Sequence, residues 1–245
     1  MWECKLVIKL AFQWLSLLKP QLRVIFLEDF FLKRCVIVSA GEIHDYKETK
    51  FFLQPDDFFI FCDGGLSHAD GLCVVPELIV GDFDSCNPAV LSKYAGTAGH
   101  PEIVKLPREK DDTDTLYAAK LAVERGFSDF LLLGAMGGRF DHALANISIL
   151  LYLDGLGKKA VLIDDYSRMQ IVGKEPFFIE DNCSYFSVLT VAGDVSGVTI
   201  KNAKYPLENA SLSANFQLGV SNEVLPGKVA EVCVASGRVL VVVVK

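Results

Sequence analysis

Residues 130–142 read Phe-Leu-Leu-Leu-Gly-Ala-Met-Gly-Gly-Arg-Phe-Asp-His, an apolar run that passes through a glycine-rich turn into a polar segment. Continuous apolar runs of this length are typical of strands that are buried on both faces of a parallel sheet. The residues after the glycines carry a helical pattern from 139 to 152, and Gly155 ends it. The stretch therefore predicts a strand, a tight turn and a helix, which is the repeating unit of an α/β fold.

The same order recurs on both sides of this stretch. A second helix is predicted at residues 115–125, where Gly126 ends it. Together the apolar runs predict an α/β N-terminal domain with an about six-stranded, mostly parallel, Rossmann-like sheet over residues 33–168. The five further strands are expected at residues 35–38, 58–62, 78–80, 103–106 and 160–163.

The chain changes character at both ends. From residue 169 it has no convincing helical period, and short alternating runs separated by Gly- and Asn-rich turns predict a C-terminal all-β sandwich domain over residues 169–245. We expect the boundary near residues 166–173. Residues 1–32 hold both tryptophans, and their apolar run at 6–18 is too short to span a bilayer. We interpret them as an extension of unclear status, either an amphipathic segment or the product of a start placed too far upstream, with a targeting or membrane-surface role as the alternative.

Composition narrows the class of protein. Of 245 residues, 51% are hydrophobic and 22% are charged, so the chain can fill a core and is not mainly disordered. The net charge of -7 argues against a nucleic acid partner, because binding to a phosphate backbone usually needs a basic face. The seven cysteines include no Cys-x-x-Cys pair, which argues against a disulfide scaffold or a zinc ribbon. We expect a cytoplasmic protein with no membrane partner.

Four acidic residues follow predicted strands: Asp63, Asp82, Asp84 and Asp114. Open α/β sheets bind ligands beyond the carboxyl ends of their strands, so these carboxylates should meet in one crevice. Two carboxylates 4 Å apart repel by about 4 kcal/mol at an effective dielectric constant of 20. A divalent cation relieves that repulsion, and hard oxygen ligands favour Mg²⁺ over zinc.

Residues 81–85, Gly-Asp-Phe-Asp-Ser, form the most specific acidic motif. In an extended chain, Asp82 and Asp84 face the same way and Phe83 points into the core. The alternative is an ordinary capped turn. In residues 110–114, Asp112 or Thr113 could equally be a helix N-cap, whereas Asp114 lies one turn past Asp111 and could face the crevice.

The glycine turn at 134–138 precedes a helix, and helix N-termini with glycine loops cradle phosphate. Arg139 adds a planar fork that suits phosphate oxygens. The alternative is tight packing between strand and helix, because the turn lacks the Gly-Lys-Ser/Thr ending of a P-loop. His44, His68 and His100 show no ligand spacing, and we interpret them as surface or hydrogen-bonded histidines.

Four motifs, in this order and spacing, together resemble the thiamine pyrophosphokinase family. The resemblance extends over roughly residues 34–245, and residues 218–223, Leu-Gly-Val-Ser-Asn-Glu, are similar to the family's thiamine-binding β domain. The four motifs are Asp-Gly-Gly at 63–65, Gly-Asp-Phe-Asp-Ser at 81–85, Asp-Asp-Thr-Asp at 111–114 and Gly-Gly-Arg-Phe-Asp-His at 137–142.

The resemblance implies Mg²⁺-dependent transfer of pyrophosphate from ATP to the hydroxyl of thiamine, which gives thiamine diphosphate and AMP. It also implies a homodimer whose thiamine site combines the α/β domain of one subunit with the β domain of the other. In the implied assignment, Asp82, Asp84 and Asp114 hold Mg²⁺ and Asp63 lies at the catalytic site. The nucleotide residues would be Ser85, Lys110, Thr113, Arg139, Asp141 and His142, and the thiamine residues Ser221 and Asn222.

Two other classes of function remain open at the level of sequence. A Mg²⁺-dependent phosphohydrolase would use the same carboxylates with water as the acceptor. A nucleotide-binding sensor without turnover would be expected to lack one metal carboxylate, and Asp82, Asp84 and Asp114 are all present. AMP formation that requires thiamine would separate the first class from the transferase.

Overall fold

The computed structural model describes residues 33–84, 86–94, 101–109 and 111–245. The predicted extension at 1–32 and the predicted nucleotide residues Ser85 and Lys110 lie outside the described residues. Residues 34–245 belong to one compact unit. In the described part of the chain, no helix is long and apolar enough to cross a lipid bilayer.

Six parallel strands form the centre of the fold, in the spatial order β6-β5-β1-β2-β3-β4. Strand β1 is buried at every residue because both faces of the sheet are covered, which explains its continuous apolar sequence. The predicted six-stranded parallel sheet is confirmed. Its strands are β1 (Cys35–Val38), β2 (Phe58–Cys62), β3 (Leu78–Gly81), β4 (Glu102–Lys105), β5 (Asp129–Leu133) and β6 (Lys159–Ile163).

Two long helices pack on one face of this sheet, α4 (Asp114–Glu124) and α5 (Phe140–Gly155). The opposite face is covered by short elements, including α2 (Ala69–Leu72). The sequence predicted both long helices but none of the short ones, because one turn is too short to show a 3.6-residue period. The other short elements are α1 (Tyr46–Thr49), α3 (Pro88–Ser92) and two 3₁₀ turns, Lys50–Phe52 and Asp63–His68.

The C-terminal part is a sandwich of two antiparallel sheets, as predicted. One sheet has the order β11-β10-β13-β8. The other, β12-β9-β14-β7, continues directly into β6, so a single sheet of ten strands runs through both parts of the chain. The strands are β7 (Ser167–Val172), β8 (Phe177–Glu180), β9 (Tyr185–Thr190), β10 (Val195–Lys201), β11 (Leu207–Leu212), β12 (Gly219–Asn222), β13 (Val229–Ser236) and β14 (Val239–Val244).

Two segments singled out in the sequence, the domain boundary at 166–173 and the residues Ser221 and Asn222, lie in strands of the ten-stranded sheet. The predicted boundary at 166–173 coincides with β7, which pairs antiparallel with both β6 and β14. Ser221 and Asn222 lie in the edge strand β12, with a register shift between Gly219 and Asn222. The sequence did not show these strands because each is short and half-polar. Division into domains at 168/169 stays a prediction.

Candidate active site

A cleft of about 590 Å³ opens at the carboxyl ends of the parallel strands. Its walls are the segments that follow β1, β2 and β5 and the first turns of α4 and α5. This is the position at which open α/β sheets bind ligands. The predicted residues Asp63, Thr113, Asp114, Arg139 and His142 all line it.

Three carboxylates converge at one side of the cleft. Asp63, Asp82 and Asp84 each offer an oxygen, and these oxygens all lie within 4.8 Å of one another. Asp63 follows β2 directly with a left-handed backbone, φ 45°. A Cβ at Gly81 would lie only 2.9 Å from the Cβ of Asp63, so glycine is required where the ends of β2 and β3 approach each other.

Residues 82–84 are not extended, contrary to our expectation, and form a turn closed by the Asp82 side chain, which agrees with the alternative interpretation of a capped turn. Phe83 has a left-handed backbone, φ 64°, and the backbone N–H of Asp84 donates to Asp82 Oδ1 at 3.1 Å. The chain therefore turns at Phe83. The side chain of Phe83 packs against the core, as expected, and Asp82 and Asp84 still come together, but through a turn rather than through strand alternation.

At the start of α4, Thr113 is the N-cap, and its hydroxyl accepts a hydrogen bond from the Leu116 N–H at 3.2 Å. The N-cap alternative therefore describes Thr113 correctly. Asp112 is held by Lys120 Nζ at 2.7 Å. Asp114 lines the cleft, as predicted from its position one turn past Asp111, but it is not a member of the group formed by Asp63, Asp82 and Asp84.

The glycine loop packs closely against the segment after β1. A Cβ at Gly134 would lie 2.4 Å from the Ser39 carbonyl oxygen, and the backbone there is left-handed, so only glycine fits. The buried Asn146 of α5 donates from Nδ2 to the Ala135 carbonyl oxygen at 2.6 Å. The loop therefore packs strand against helix, as the alternative interpretation holds, and it also lines the cleft. Phosphate binding by the loop stays a prediction.

Arg139 occupies the N-cap position of α5 and forms a two-pronged ion pair with Asp141, at 3.2 and 2.5 Å. The hydrogen bond from Arg139 lowers the pKa of Asp141, and the same bond raises the pKa of Arg139. Both side chains are exposed, so the pair can open at little cost when a phosphate approaches the fork.

Sequence reasoning gave no role to several residues that line the cleft. Ser39 and Thr115 share a hydroxyl–hydroxyl hydrogen bond of 2.8 Å. Arg108 Nε lies 3.9 Å from Asp84 Oδ2 and brings a positive charge to the carboxylates. Asn146 could have been predicted from the sequence, because a buried polar residue on the apolar face of a helix usually has a specific hydrogen-bond partner.

The two predicted thiamine residues differ in their surroundings. Ser221 is exposed with φ 52°, and its N–H donates to Ser187 Oγ at 3.0 Å. Asn222 is only 2% exposed. Its Oδ1 accepts from the N–H groups of Tyr205 and Glu223, and its Nδ2 donates to the Tyr205 carbonyl oxygen. The Asn222 amide is therefore largely engaged in holding β12 against the segment around Tyr205.

The fold and the cleft together define a class of protein. Carboxylates cluster beyond the strands of a parallel sheet, next to a glycine loop at a helix N-terminus. The class is that of α/β proteins whose acidic cleft suits a divalent cation and a phosphate-bearing ligand.

Comparison with known proteins narrows this class to one family. The family model for the thiamin pyrophosphokinase catalytic domain matches residues 49–162, and the model for the thiamin pyrophosphokinase vitamin B1 binding domain matches residues 178–239. The chain is 30% identical over 196 residues to thiamine pyrophosphokinase of Bacillus subtilis, an alignment that covers 79% of this chain and 91% of that protein. The chain belongs to the thiamine pyrophosphokinase family, and the predicted resemblance is confirmed.

The chain is also similar to a further relative and to two solved structures. Thiamin pyrophosphokinase 1 of Caenorhabditis elegans is 26% identical over 167 residues, which cover 63% of this chain and 65% of that protein. The crystal structure of Bacillus subtilis thiamine pyrophosphokinase superposes with a TM-score of 0.75 at 24% identity, over 86% of this chain and 99% of that chain. Thiamin pyrophosphokinase from Candida albicans superposes with a TM-score of 0.69 at 15% identity, over 86% of this chain and 88% of that chain. The two structures show the same fold.

Proposed function

We propose that this chain transfers pyrophosphate from ATP to the hydroxyl of thiamine, with Mg²⁺, and releases thiamine diphosphate and AMP. Membership of the family supports the reaction. The observation that carries the proposal is the convergence of Asp63, Asp82 and Asp84 beside a cleft that also contains the glycine loop. One site thus offers carboxylates for a cation and backbone groups for phosphates.

The residues at this site fit Mg²⁺. Three carboxylates supply hard oxygen atoms, and such a cluster is stabilised by a cation. Asp82 and Asp84 would hold the ion, with a third carboxylate from Asp63, as the geometry favours, or from Asp114, as the family resemblance implies. When bound, the ion would neutralise the charge on the phosphoryl oxygens.

The chain's own residues would position the two substrates. The glycine loop and the N-terminus of α5 orient the phosphates of ATP, and Arg139 exchanges Asp141 for a phosphate oxygen. The thiamine hydroxyl attacks the β-phosphorus and releases its proton to water, the bond from that phosphorus to the α–β bridging oxygen breaks, and the electron pair leaves with AMP. Because the reaction is mainly positioning and charge stabilisation, the fixed walls of the cleft are well suited to it.

We assign thiamine recognition to the β part of the chain. Thiamine is a cation, and the acidic cleft attracts it. Ser221 is exposed and free to contact the ligand, whereas the Asn222 amide positions the strand that carries it. Ser221→Ala should raise the thiamine KM about tenfold, which corresponds to about 1.4 kcal/mol, and leave the ATP KM within about twofold. A change confined to the ATP KM would contradict this division between the two parts.

The central experiment measures AMP release with and without thiamine, in Mg²⁺ and in EDTA. The transferase releases AMP only when both thiamine and Mg²⁺ are present. AMP or phosphate release without thiamine would instead identify a phosphohydrolase. Binding of ATP without any release would identify a sensor.

We also propose a cytoplasmic homodimer in which each thiamine site is shared between subunits. Sedimentation equilibrium tests the dimer. Sharing is tested by mixing subunits that carry Asp82→Asn with subunits that carry Ser221→Trp. A mixed dimer would regain activity because one of its two sites escapes both substitutions, whereas sites contained within one subunit would stay inactive in the mixture.

A further inference from the structure

We propose that His68 is a positioning residue that sets the affinity for the nucleotide by holding Gly41 in the wall of the cleft. This inference rests on the proposed function, because it assigns the cleft to ATP. His68 does not line the cleft itself. It acts through one hydrogen bond to the backbone of a residue that does.

The first step concerns the protonation state of His68, whose ring is buried, with 8% of the residue exposed. Its Nε2 lies 2.8 Å from the Gly41 carbonyl oxygen, and its Nδ1 lies 2.7 Å from the hydroxyl of Tyr46. A carbonyl oxygen only accepts, so Nε2 carries the hydrogen, and Nδ1 of the neutral ring accepts from Tyr46. Burial lowers the pKa of His68, although the bond to Gly41 works in the opposite direction, and this favours the neutral form.

The second step concerns Gly41, which lies between His68 and the glycine loop. Its N–H donates to the Gly134 carbonyl oxygen at 2.7 Å. A Cβ at Gly41 would lie 2.3 Å from the Met136 carbonyl oxygen, so the two segments are in direct backbone contact. Both Gly41 and Gly134 line the cleft. A shift of Gly41 would therefore move the loop that we assign to the phosphates.

The third step concerns the support behind His68. The ring of Tyr46 lies against Gly71, where a Cβ would be 2.6 Å from it, so the tyrosine has little room to move. The carboxylate of Asp165 accepts from the N–H groups of His44 and Asp45, at 3.0 Å each, and fixes the residues that precede Tyr46. Tyr46, His68, Gly41 and Gly134 thus form one continuous series of hydrogen bonds that ends in the cleft.

The test compares His68→Leu, His68→Gln and Tyr46→Phe in the full chain. Binding of a non-hydrolysable ATP analogue with Mg²⁺ is measured by calorimetry, and the KM values for ATP and thiamine are measured separately. His68→Leu should weaken nucleotide binding about tenfold, the loss expected for one buried hydrogen bond, and leave the thiamine KM within about twofold. His68→Gln should bind within about threefold of the wild type, because its amide N–H can reach the Gly41 carbonyl oxygen.

The control is Ile200→Ala, a cavity in the core of the sandwich that lowers stability without touching the cleft. Unchanged nucleotide affinity in His68→Leu, an equal loss for both substrates, or the same loss in Ile200→Ala would overturn the proposal. If His68→Leu does not fold, nucleotide binding by Tyr46→Phe tests the proposal instead. Binding about threefold weaker than that of the wild type supports the proposal, and unchanged binding overturns it. If the wild-type protein binds no nucleotide, both the proposed function and this inference are wrong. If the wild-type protein binds the nucleotide and the His68 variants bind it equally well, only this inference is wrong.

Discussion

At the scale of single residues, the candidate site depends on two left-handed backbones. Asp63 and Phe83 both have positive φ, and neither is a glycine. Such conformations cost about 1–3 kcal/mol each and persist only where the surroundings enforce them. Here they turn the chain after β2 and β3 so that three carboxylates meet. These two backbones therefore lower the free energy of unfolding while they bring the three carboxylates together.

Asp82→Asn and Asp84→Asn should each lower kcat/KM by at least about a hundredfold while the unfolding midpoint stays unchanged or rises. Each change removes a charged oxygen ligand and also relieves carboxylate repulsion. Asp70→Asn is the matched control, because Asp70 is exposed and pairs with Lys93 outside the cleft. AMP release near the wild-type rate in both variants would show that these carboxylates do not hold the ion. The same assay on Asp63→Asn and Asp114→Asn identifies the third ligand by the larger change in the Mg²⁺ dependence.

His68 should make the protein less stable in acid. Its pKa in the folded chain lies below the ordinary value of 6.5, so the unfolded chain takes up the proton first as the pH falls. His68 therefore makes its full contribution to stability above about pH 6.5, and this contribution decreases as the pH falls below that value. In urea unfolding at pH 7.5, 6.5 and 5.5, the difference between wild type and His68→Leu should shrink toward low pH. A difference that stays constant with pH would contradict the neutral assignment.

At the scale of elements, the cleft is built where the segments after β1 and β5 come into backbone contact. Close contact between two loops leaves no space for side chains, which is why glycine occurs at 41 and 134. The same contact explains why the glycine loop was ambiguous in the sequence. Tight packing and phosphate binding both require glycine at the same positions.

Gly41→Ala should destabilise the chain by several kcal/mol or shift the loop, because its Cβ would meet two carbonyl oxygens, at 2.3 and 2.5 Å. Gly155→Ala is the matched control, since nothing beyond its chain neighbours and the backbone of its own helix lies within 4 Å of the added methyl group. That substitution at the end of α5 should leave the unfolding midpoint unchanged or raise it slightly. Thermal unfolding of the two variants with ATP affinity as a second readout tests this. Equal effects of the two substitutions would refute the close contact.

At the scale of the whole molecule, the parallel sheet and the sandwich share one set of strands. β6 pairs with β5 on one side and with β7 on the other. Arg238, which directly precedes β14, also donates from Nε to Asp154 Oδ2 of α5 at 2.6 Å. The parallel sheet and the sandwich are therefore joined by backbone hydrogen bonds rather than by a flexible linker.

This continuity predicts a single cooperative unfolding transition for residues 34–245. The calorimetric and van't Hoff enthalpies should agree, and probes in the two parts should report the same midpoint. A fragment of residues 33–168 should fail to fold stably, because β6 would become an open edge without the strands that cover it. Two separate transitions, or a fragment that folds alone, would show that the predicted domains are independent.

The sequence by itself determined the order of strands and long helices, the sandwich, the family and the main acidic residues. These features follow from local hydrophobic period and from motifs a few residues long. Only the tertiary structure decided that Asp63 rather than Asp114 groups with Asp82 and Asp84, that the Asn222 amide is bonded to the Tyr205 backbone and that one sheet spans both parts. Each depends on contacts between segments distant in the chain, and a residue's own neighbours in sequence carry no record of such contacts.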